Sequence, residues 1–496
     1  MQLTKAMDDS KLTLRHWWIW FLASMGIFLD GFDLFIIAVG LPLIAEQFHT
    51  SPEMLGLIGA AAPLGCIVGS SIFGRFTDKI GRRALLLIDL LFFVIFAGAS
   101  ALAPNEMWLV ILRFLVGVGV GADYPVSSTY ITENMPKRLR GRMLVSGFGF
   151  QALGALSGAL VGYFVLKFHP ELDAWRWMLG VAVIPAIIVL IFRVWLPESP
   201  RWLINQGKHE KATKLAEKMT KTSVKLEVFN PPQKGSFFTL FTPTFIKRTL
   251  LTSLSWFLLD IALYGIGFFT PIILSSIMVN HSGSFINQAM NSAKGAAFLD
   301  LFWILGILVA MWLVEKWGRV RLQTIGFFGM AIGLFIFAGA TSIDNEAIKV
   351  ATVFVGFVVF YFMSNMGPNP MTFLLPAEVF PTYIRATGHG FASASGKVGA
   401  AVGIFLLPIL KDSIGLFSTS IFLGLTALVG FGLTAILGYE TKGRSLEELE
   451  SIETQMSEAE EGLITVQDDI RRLNSDIKRV EGALAKAIQE MRRARQ

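Results

Sequence analysis

Residues 74–83 read GRFTDKIGRR, and residues 313–321 read LVEKWGRVR. An acid, a base, a glycine and an arginine follow one another in the same order in both: Asp78, Lys79, Gly81 and Arg82, then Glu315, Lys316, Gly318 and Arg319. Each cluster closes an apolar run, and each such run is the second of six in its half of the chain. An internal repeat of this kind is what two related helical bundles leave in a sequence, and it predicts a binding site between them near the membrane midplane.

The runs themselves set the class. The chain has 496 residues, of which 53% are hydrophobic and 16% charged, and its mean hydropathy is +0.58. That is more apolar and less charged than an ordinary soluble domain. Stretches long enough to cross about 30 Å of hydrocarbon fall near 17–43, 54–74, 84–103, 107–131, 143–166, 175–196, 250–279, 296–314, 322–340, 347–375, 385–410 and 414–438. The first is too long for the core of a signal peptide and carries Asp30 and Asp33. Lys and Arg concentrate in GRFTDKIGRR, in PKRLRGR (136–142), in 197–248 and in EKWGRVR (315–321). The intervening loops, such as EQFHTSPE (46–53), hold almost none. With an even number of spans, this alternation places both termini in the cytoplasm of a multi-pass protein of the plasma or cell membrane. The net charge of +6 therefore reads as loop asymmetry, with no call for nucleic acid. The single Cys66 lies in an apolar run and forms no internal disulfide.

The organisation is four-part: a six-helix bundle over 1–196, a polar linker over 197–247 with short amphipathic helices in KHEKATKLAEKMTK (208–221), a second six-helix bundle over 248–440, and a tail over 441–496. In the tail, apolar residues from Ile452 through Met456, Ala459, Leu463, Val466, Ile470, Leu473, Ile477, Val480, Leu484 and Ala487 to Met491 alternate steps of four and three. That seam predicts a cytoplasmic coiled coil, serving either oligomerisation, as a homo-oligomer, or docking, and the alternative is a lone, partly helical or appended tail.

Polar groups inside the spans point to the site. An ionised Asp at the bilayer centre costs at least about 2.5 kcal/mol, so Asp260 in SWFLLDIALYG (255–265) should face protein or water. Trp256 and Tyr264 lie one turn to either side of it on the same stripe. Asp30 and Asp33 share a face of the first span, Asp123 sits in the fourth, and Arg113 precedes it on the same helix. Acids buried in lipid are proton-carrier candidates: Asp33 and Asp123 first, Asp30 next, with Arg113 modulating Asp123 or pairing with another acid. No cluster predicts a metal, no phosphate-cradling loop predicts an ATPase, no cofactor is called for, and no paired nucleophile and base predicts an enzyme.

GRFTDKIGRR, LPESPRWL (196–203) and PAEVFPTYIRATGHG (376–390) resemble the major facilitator superfamily, its sugar-porter-like branch in particular, over about residues 15–445. The resemblance implies an all-α fold of twelve spans in two bundles. It also implies a gating role for Asp78, which would cap and pair with a neighbouring helix end, and for Arg82 and Arg83 near the cytoplasmic surface. The repeat extends that role to Glu315 and Arg319. FLDGFDLFII (28–37), GVGADYPVS (119–127), FQALGAL (150–156), SWFLLDIALYG (255–265), SNMGPNPMTFLLPAEVFP (364–381) and ASGKVGA (394–400) resemble, more narrowly, the phosphate:H+ symporters of fungi and plants. Carried over, the substrate site is Tyr124, Gln151, Trp256, Asp260, Tyr264 and Asn365, with Lys397 nearby. Ala122 departs from the usual glycine before Asp-Tyr-Pro and removes no polar group.

These side chains suit phosphate. Its oxygens accept from the indole, hydroxyl and amide donors of the set, whereas its OH groups donate. An ionised Asp260 only accepts, so it selects a ligand with a proton at that point. Sulfate brings none, and an unpaired buried acceptor costs about 1–3 kcal/mol. An alternative is a structural ion pair between Asp260 and Lys397. Moving an anion into a cell that is negative inside needs cotransported cations, at about 2.3 kcal/mol per charge per 100 mV, and protons serve. Expected partners are thus inorganic phosphate, protons and the lipid bilayer. Two other readings stand beside this one: a proton symporter for a sugar, organic acid or phosphate ester, and a transporter-like nutrient sensor that signals through its tail. The Gly117, Gly119 and Gly121 series is expected to let the fourth span pack closely, and Pro368 and Pro370 to break the tenth beside Asn365.

Overall fold

A computed structural model describes residues 3–224, 235–277 and 285–494, with side chains at all of these except positions 52, 268–277, 292, 296, 408, 411–412, 450–465 and 468. The described residues hold helices and no strand. Residues 225–234 of the expected linker, the end of the expected seventh run at 278–279, and the side chains of Ile452, Met456, Ala459 and Leu463 lie outside the described residues.

Twelve helices are long and apolar enough to cross a bilayer: Leu14–Phe48, Glu53–Ile80, Arg82–Ala101, Glu106–Asn134, Lys137–Phe168, Ala174–Arg193, Pro243–Gly267, Phe285–Trp317, Arg319–Ala340, Glu346–Val379, Arg385–Leu407 and Ser413–Leu437. They are the first to twelfth spans below. Most run a few residues past the apolar stretches read from sequence, because polar residues at their starts cap them. Ser51 Oγ accepts from the Met54 N–H, Asn105 Oδ1 from Trp108 and Asn345 Oδ1 from Ile348. Such caps satisfy donors that would otherwise be orphaned at a helix start.

Close helix approach relies on missing side chains. A Cβ at Gly117 would strike the carbonyl oxygen of Ala62, and one at Gly121 that of Cys66, so the second and fourth spans touch backbone to backbone. Gly119 faces the third span instead, where a Cβ would lie 2.8 Å from the Asp89 carbonyl. Gly31 and Gly154 do the same for the first and fifth spans, against Gln151 and Phe28 respectively. Small residues at a crossing give van der Waals contact where lipid supplies no hydrophobic drive. The tenth span breaks at Gly367, between helices Glu346–Met366 and Pro368–Val379, since each of the prolines that follow lacks a backbone N–H. The chain kinks at Gly415, near the start of the twelfth span, where a φ of +80° suits glycine alone.

Residues Met1–Ser445 form one compact unit, which includes the short helices Leu3–Asp8, Pro200–Asn205 and His209–Thr220. Asp8 ties the first of these to Arg201 (2.7 Å) and Arg140 (3.4 Å). Leu446–Gln496 is a second unit, a single helix over Leu446–Ala494.

Candidate functional site

Three layers of polar side chains interrupt the apolar interior. The central one joins five spans, the first, fourth, fifth, seventh and eleventh. Lys397 Nζ, 2% exposed, donates to the Tyr264 hydroxyl at 2.7 Å and reaches the Tyr124 hydroxyl at 3.4 Å, with the ammonium 4.6 Å from each ring centroid. The Tyr124 hydroxyl donates in turn to Asp30 Oδ2. Gln151 Nε2 donates to both Asp30 Oδ2 (2.8 Å) and the Tyr124 oxygen (2.7 Å). Trp256 sets its ring 6.0 Å from that of Tyr124, tilted by 55°, and lies over Gly396, one residue before Lys397. Asp260 is 1% exposed, and neither of its carboxylate oxygens accepts a hydrogen bond of normal geometry. Its neighbours in charge are Lys397, which attracts it, and Asp30, which repels it, and Trp256 one turn away is a donor within its reach. Lys397 thus gives its protons to tyrosine hydroxyls rather than to an ion pair with Asp260.

Asn365 is placed differently. Its Nδ2 donates to the Tyr361 carbonyl (2.8 Å) and the Ser364 hydroxyl (3.1 Å), and its Oδ1 accepts from Asn369 (2.7 Å). The structure therefore engages Asn365 within the broken tenth span and shows no bond from it to the Lys397 cluster. Beside the cluster lies a cavity lined by Gln151 and Tyr264 and, beyond them, by Phe35, Leu263, Trp303 and Tyr361. The Trp303 indole N–H is buried with no partner.

A second layer belongs to the first half. Arg113 Nη1 lies 2.6 Å from Asp33 Oδ1. Asp123 is held instead by Arg193 (2.9 Å), which also reaches Asp89 at 3.2 Å, and by the Ser127 hydroxyl at 3.0 Å. Asp30 and Asp33, one helical step apart, thus serve different neighbours: Asp30 the tyrosine cluster, Asp33 the Arg113 pair.

The third layer lies where the second and eighth spans end, and it repeats. Arg82 grips Glu133 with two bonds (3.0 and 2.8 Å) and Asp78 with one (3.2 Å). Arg319 grips Glu378 (3.0 and 3.1 Å) and Glu315 (2.9 Å) likewise. Glu198 accepts from the Arg82 N–H (2.9 Å) as Glu440 accepts from the Arg319 N–H (3.1 Å). Burial pushes the Glu198 carboxyl above its ordinary range, against the pull of these backbone donors. Across the halves, Asp78 Oδ2 accepts from the Thr387 N–H and hydroxyl, both at 2.8 Å, at the start of the eleventh span. Arg385 meets Glu133 at 3.2 Å. Arg83, by contrast, is more exposed and donates to the Val194 carbonyl at 2.7 Å.

Residues 19–452 match the family described as "Sugar (and other) transporter". The chain belongs to this family, within the major facilitator superfamily. Among curated relatives the transporter is 31% identical to the putative metabolite transport protein YaaU of Escherichia coli (strain K12), covering 90% of this chain and 97% of the other. It is 30% identical to the probable inorganic phosphate transporter 1-7 of Arabidopsis thaliana, covering 90% and 94%. Its fold is that of the proton:xylose symporter XylE bound to 6-bromo-6-deoxy-D-glucose, with TM-score 0.74, 23% identity and coverage of 89% and 100%.

Several residues of these layers escape a reading of single motifs. Glu133, Glu198, Glu378 and Arg385 all sit within or beside stretches whose spacing is visible, but their partners are 51 to 252 residues away in sequence. The repeat was the available signal, since Glu198 and Glu440 each follow the last span of a half. Asp89 and Arg193 carried an equally plain one, being charges in otherwise apolar runs. Among the described residues, His169, Glu171 and Asp173 bring ligand-type atoms within 4.8 Å of one another, on the loop after the fifth span, where a His169–Asp173 contact of 2.8 Å already joins two of them.

If the Asp78 contacts hold the two halves of the transporter together at this end, Asp78→Asn loosens them. The amide loses the charge facing the start of the eleventh span and Arg82, and charge-assisted bonds of this kind are worth about 1.5–3 kcal/mol. In a Cys66→Ala background, a cysteine at Ser70, whose carbonyl abuts Gly390, is expected to react with a small thiol reagent about tenfold faster when Asp78→Asn is added. Unchanged reactivity would remove Asp78 from the gate.

Proposed function

We propose that the transporter is a proton-coupled symporter for inorganic phosphate that works by alternating access. The observation that carries this is the buried Lys397 ammonium, flanked by two tyrosine hydroxyls, one of which the Gln151 amide also holds, within electrostatic reach of an Asp260 carboxylate whose oxygens are unfilled. A small, partly protonated oxyanion fits both demands: its negative oxygens meet Lys397 and the donors, and its OH meets Asp260. The naming of several 30%-identical relatives as inorganic phosphate transporters supports the same substrate.

Coupling follows from charge. The cluster holds one cation, Lys397, and two acids, Asp30 and Asp260, so with both acids ionised it has one negative charge in excess before any anion enters. Adding phosphate deepens that excess in a low-dielectric setting, where uncompensated charge is expensive. Protons must therefore bind with the anion. Asp33 with Arg113, and Asp123 with Arg193, supply carboxylates between which protons pass. The salt-bridge layer at Asp78, Arg82, Glu315 and Arg319 closes the cytoplasmic end, and Arg83 steadies the neighbouring loop. The halves 1–196 and 248–440 rock about the site, the segment 197–247 links them, and both termini lie in the cytoplasm of a cell-membrane protein.

Purified protein in liposomes with an imposed inward proton gradient tests this. Radiolabelled phosphate should accumulate only with the gradient, and excess arsenate should compete whereas sulfate should not. A protein that ignores phosphate in this assay rejects the assignment. The cavity beyond Gln151 and Tyr264, with its apolar walls and the unpartnered Trp303 N–H, favours a second reading in which the substrate is a larger organic anion or sugar. Competition by glycerol phosphate or xylose stronger than by phosphate would select it. Removing residues after 445 is expected to leave uptake unchanged within twofold, since Met1–Ser445 is a compact unit by itself. Loss of uptake would favour a sensor worked through the tail.

A further inference from the structure

The tail helix Leu446–Ala494 presents a continuous apolar seam that its own unit leaves uncovered: Val466, Ile470, Leu473, Ile477, Val480 and Leu484 are between 49% and 67% exposed. On a heptad register with Ile470, Ile477 and Leu484 at a and Leu473 and Val480 at d, the positions bordering the seam are e and g. From Val466 to Met491 the charged residues there are Asp469, Asp476 and Glu490 at g and Glu481 at e. The others are neutral. Every lysine and arginine of this stretch, from Arg471 and Arg472 to Lys486, falls at b or c, away from the border.

That segregation decides the partner. In a parallel pair of identical helices, g of one heptad faces e of the next in the other chain, which sets Asp476 against Glu481. In an antiparallel pair g faces g, and acid again meets acid. Border charges choose partners by attraction and exclude wrong ones by repulsion, so a second copy is the disfavoured occupant. We propose that the tail is a docking helix for a different protein, one that offers a heptad helix with Lys or Arg at its e and g positions. The seam from residue 452 to 491 sets the partner's length at about 60 Å of helix, from 1.5 Å of rise per residue.

The test uses the full-length transporter in nanodiscs of zwitterionic lipid. Its probe is a labelled 40-residue peptide with Leu and Ile at the seam positions and Lys at every e and g, and the control has Glu at those positions. The Lys peptide is expected to bind at least 100-fold more tightly than the Glu peptide. Because the border residues are solvent-facing, Asp469→Lys, Asp476→Lys and Glu481→Lys together should invert that preference and leave the helix and phosphate uptake intact. Equal binding of both peptides, binding of neither, or tail-dependent self-association of the unmodified transporter at nanomolar concentration would each overturn the proposal.

Discussion

Lys397→Gln is expected to raise the KM for gradient-driven phosphate uptake by about 100-fold or more. The ammonium is buried and is the positive charge of the central cluster, so a bound anion would face Asp30 and Asp260 without compensation. Breaking a buried charge pair by removing one partner costs roughly 3–5 kcal/mol, and each 1.4 kcal/mol is about tenfold. Glutamine keeps a donor for the Tyr264 hydroxyl and roughly the length of the stem, which limits the damage to the fold. Lys397→Arg keeps the charge but spreads it over a planar fork that cannot sit between two tyrosine rings in the same way, so partial recovery is expected. The check is uptake kinetics alongside the thermal stabilisation that phosphate gives each variant. A wild-type KM in Lys397→Gln would mean that the anion binds elsewhere.

How much of this was legible in sequence depends on the range over which the cause acts. The spans follow from local composition, and the structure reproduces all twelve. The break at Gly367 follows from two prolines, and the close approach of the second and fourth spans from glycines one turn apart. Contacts between spans are another matter. Arg113 was open to Asp123 on its own helix or to any other acid, and the structure gives it Asp33, leaving Asp123 to Arg193. Helix rotation decides which, and periodicity in a span that is apolar on most sides does not fix rotation. Asn365 shows the same limit: its residue type suits an anion, but the chain break beside it turns its amide toward Ser364 and Asn369. The tail shows the reverse case, in which a seam visible in sequence leaves oligomerisation and docking both open, and the border charges, read in register, argue against a second copy.

Asp260→Asn is expected to abolish proton-driven accumulation, by tenfold or more, while sparing exchange of phosphate down its own gradient. The amide oxygen still accepts from a phosphate OH, and the substitution removes one of the two negative charges that the anion must approach. Binding should therefore persist or tighten. What disappears is the obligation to bring a proton, because the excess negative charge that makes empty and loaded states differ in proton demand is gone. An account in which Asp260 only supports structure predicts parallel losses of exchange and accumulation together with a lower melting temperature. An account in which it carries the coupling predicts that they separate. Measuring counterflow and gradient-driven uptake on the same preparation distinguishes these outcomes, and undiminished accumulation by Asp260→Asn would move the coupling to Asp33 or Asp123, whose arginine partners hold them in charged pairs one layer away.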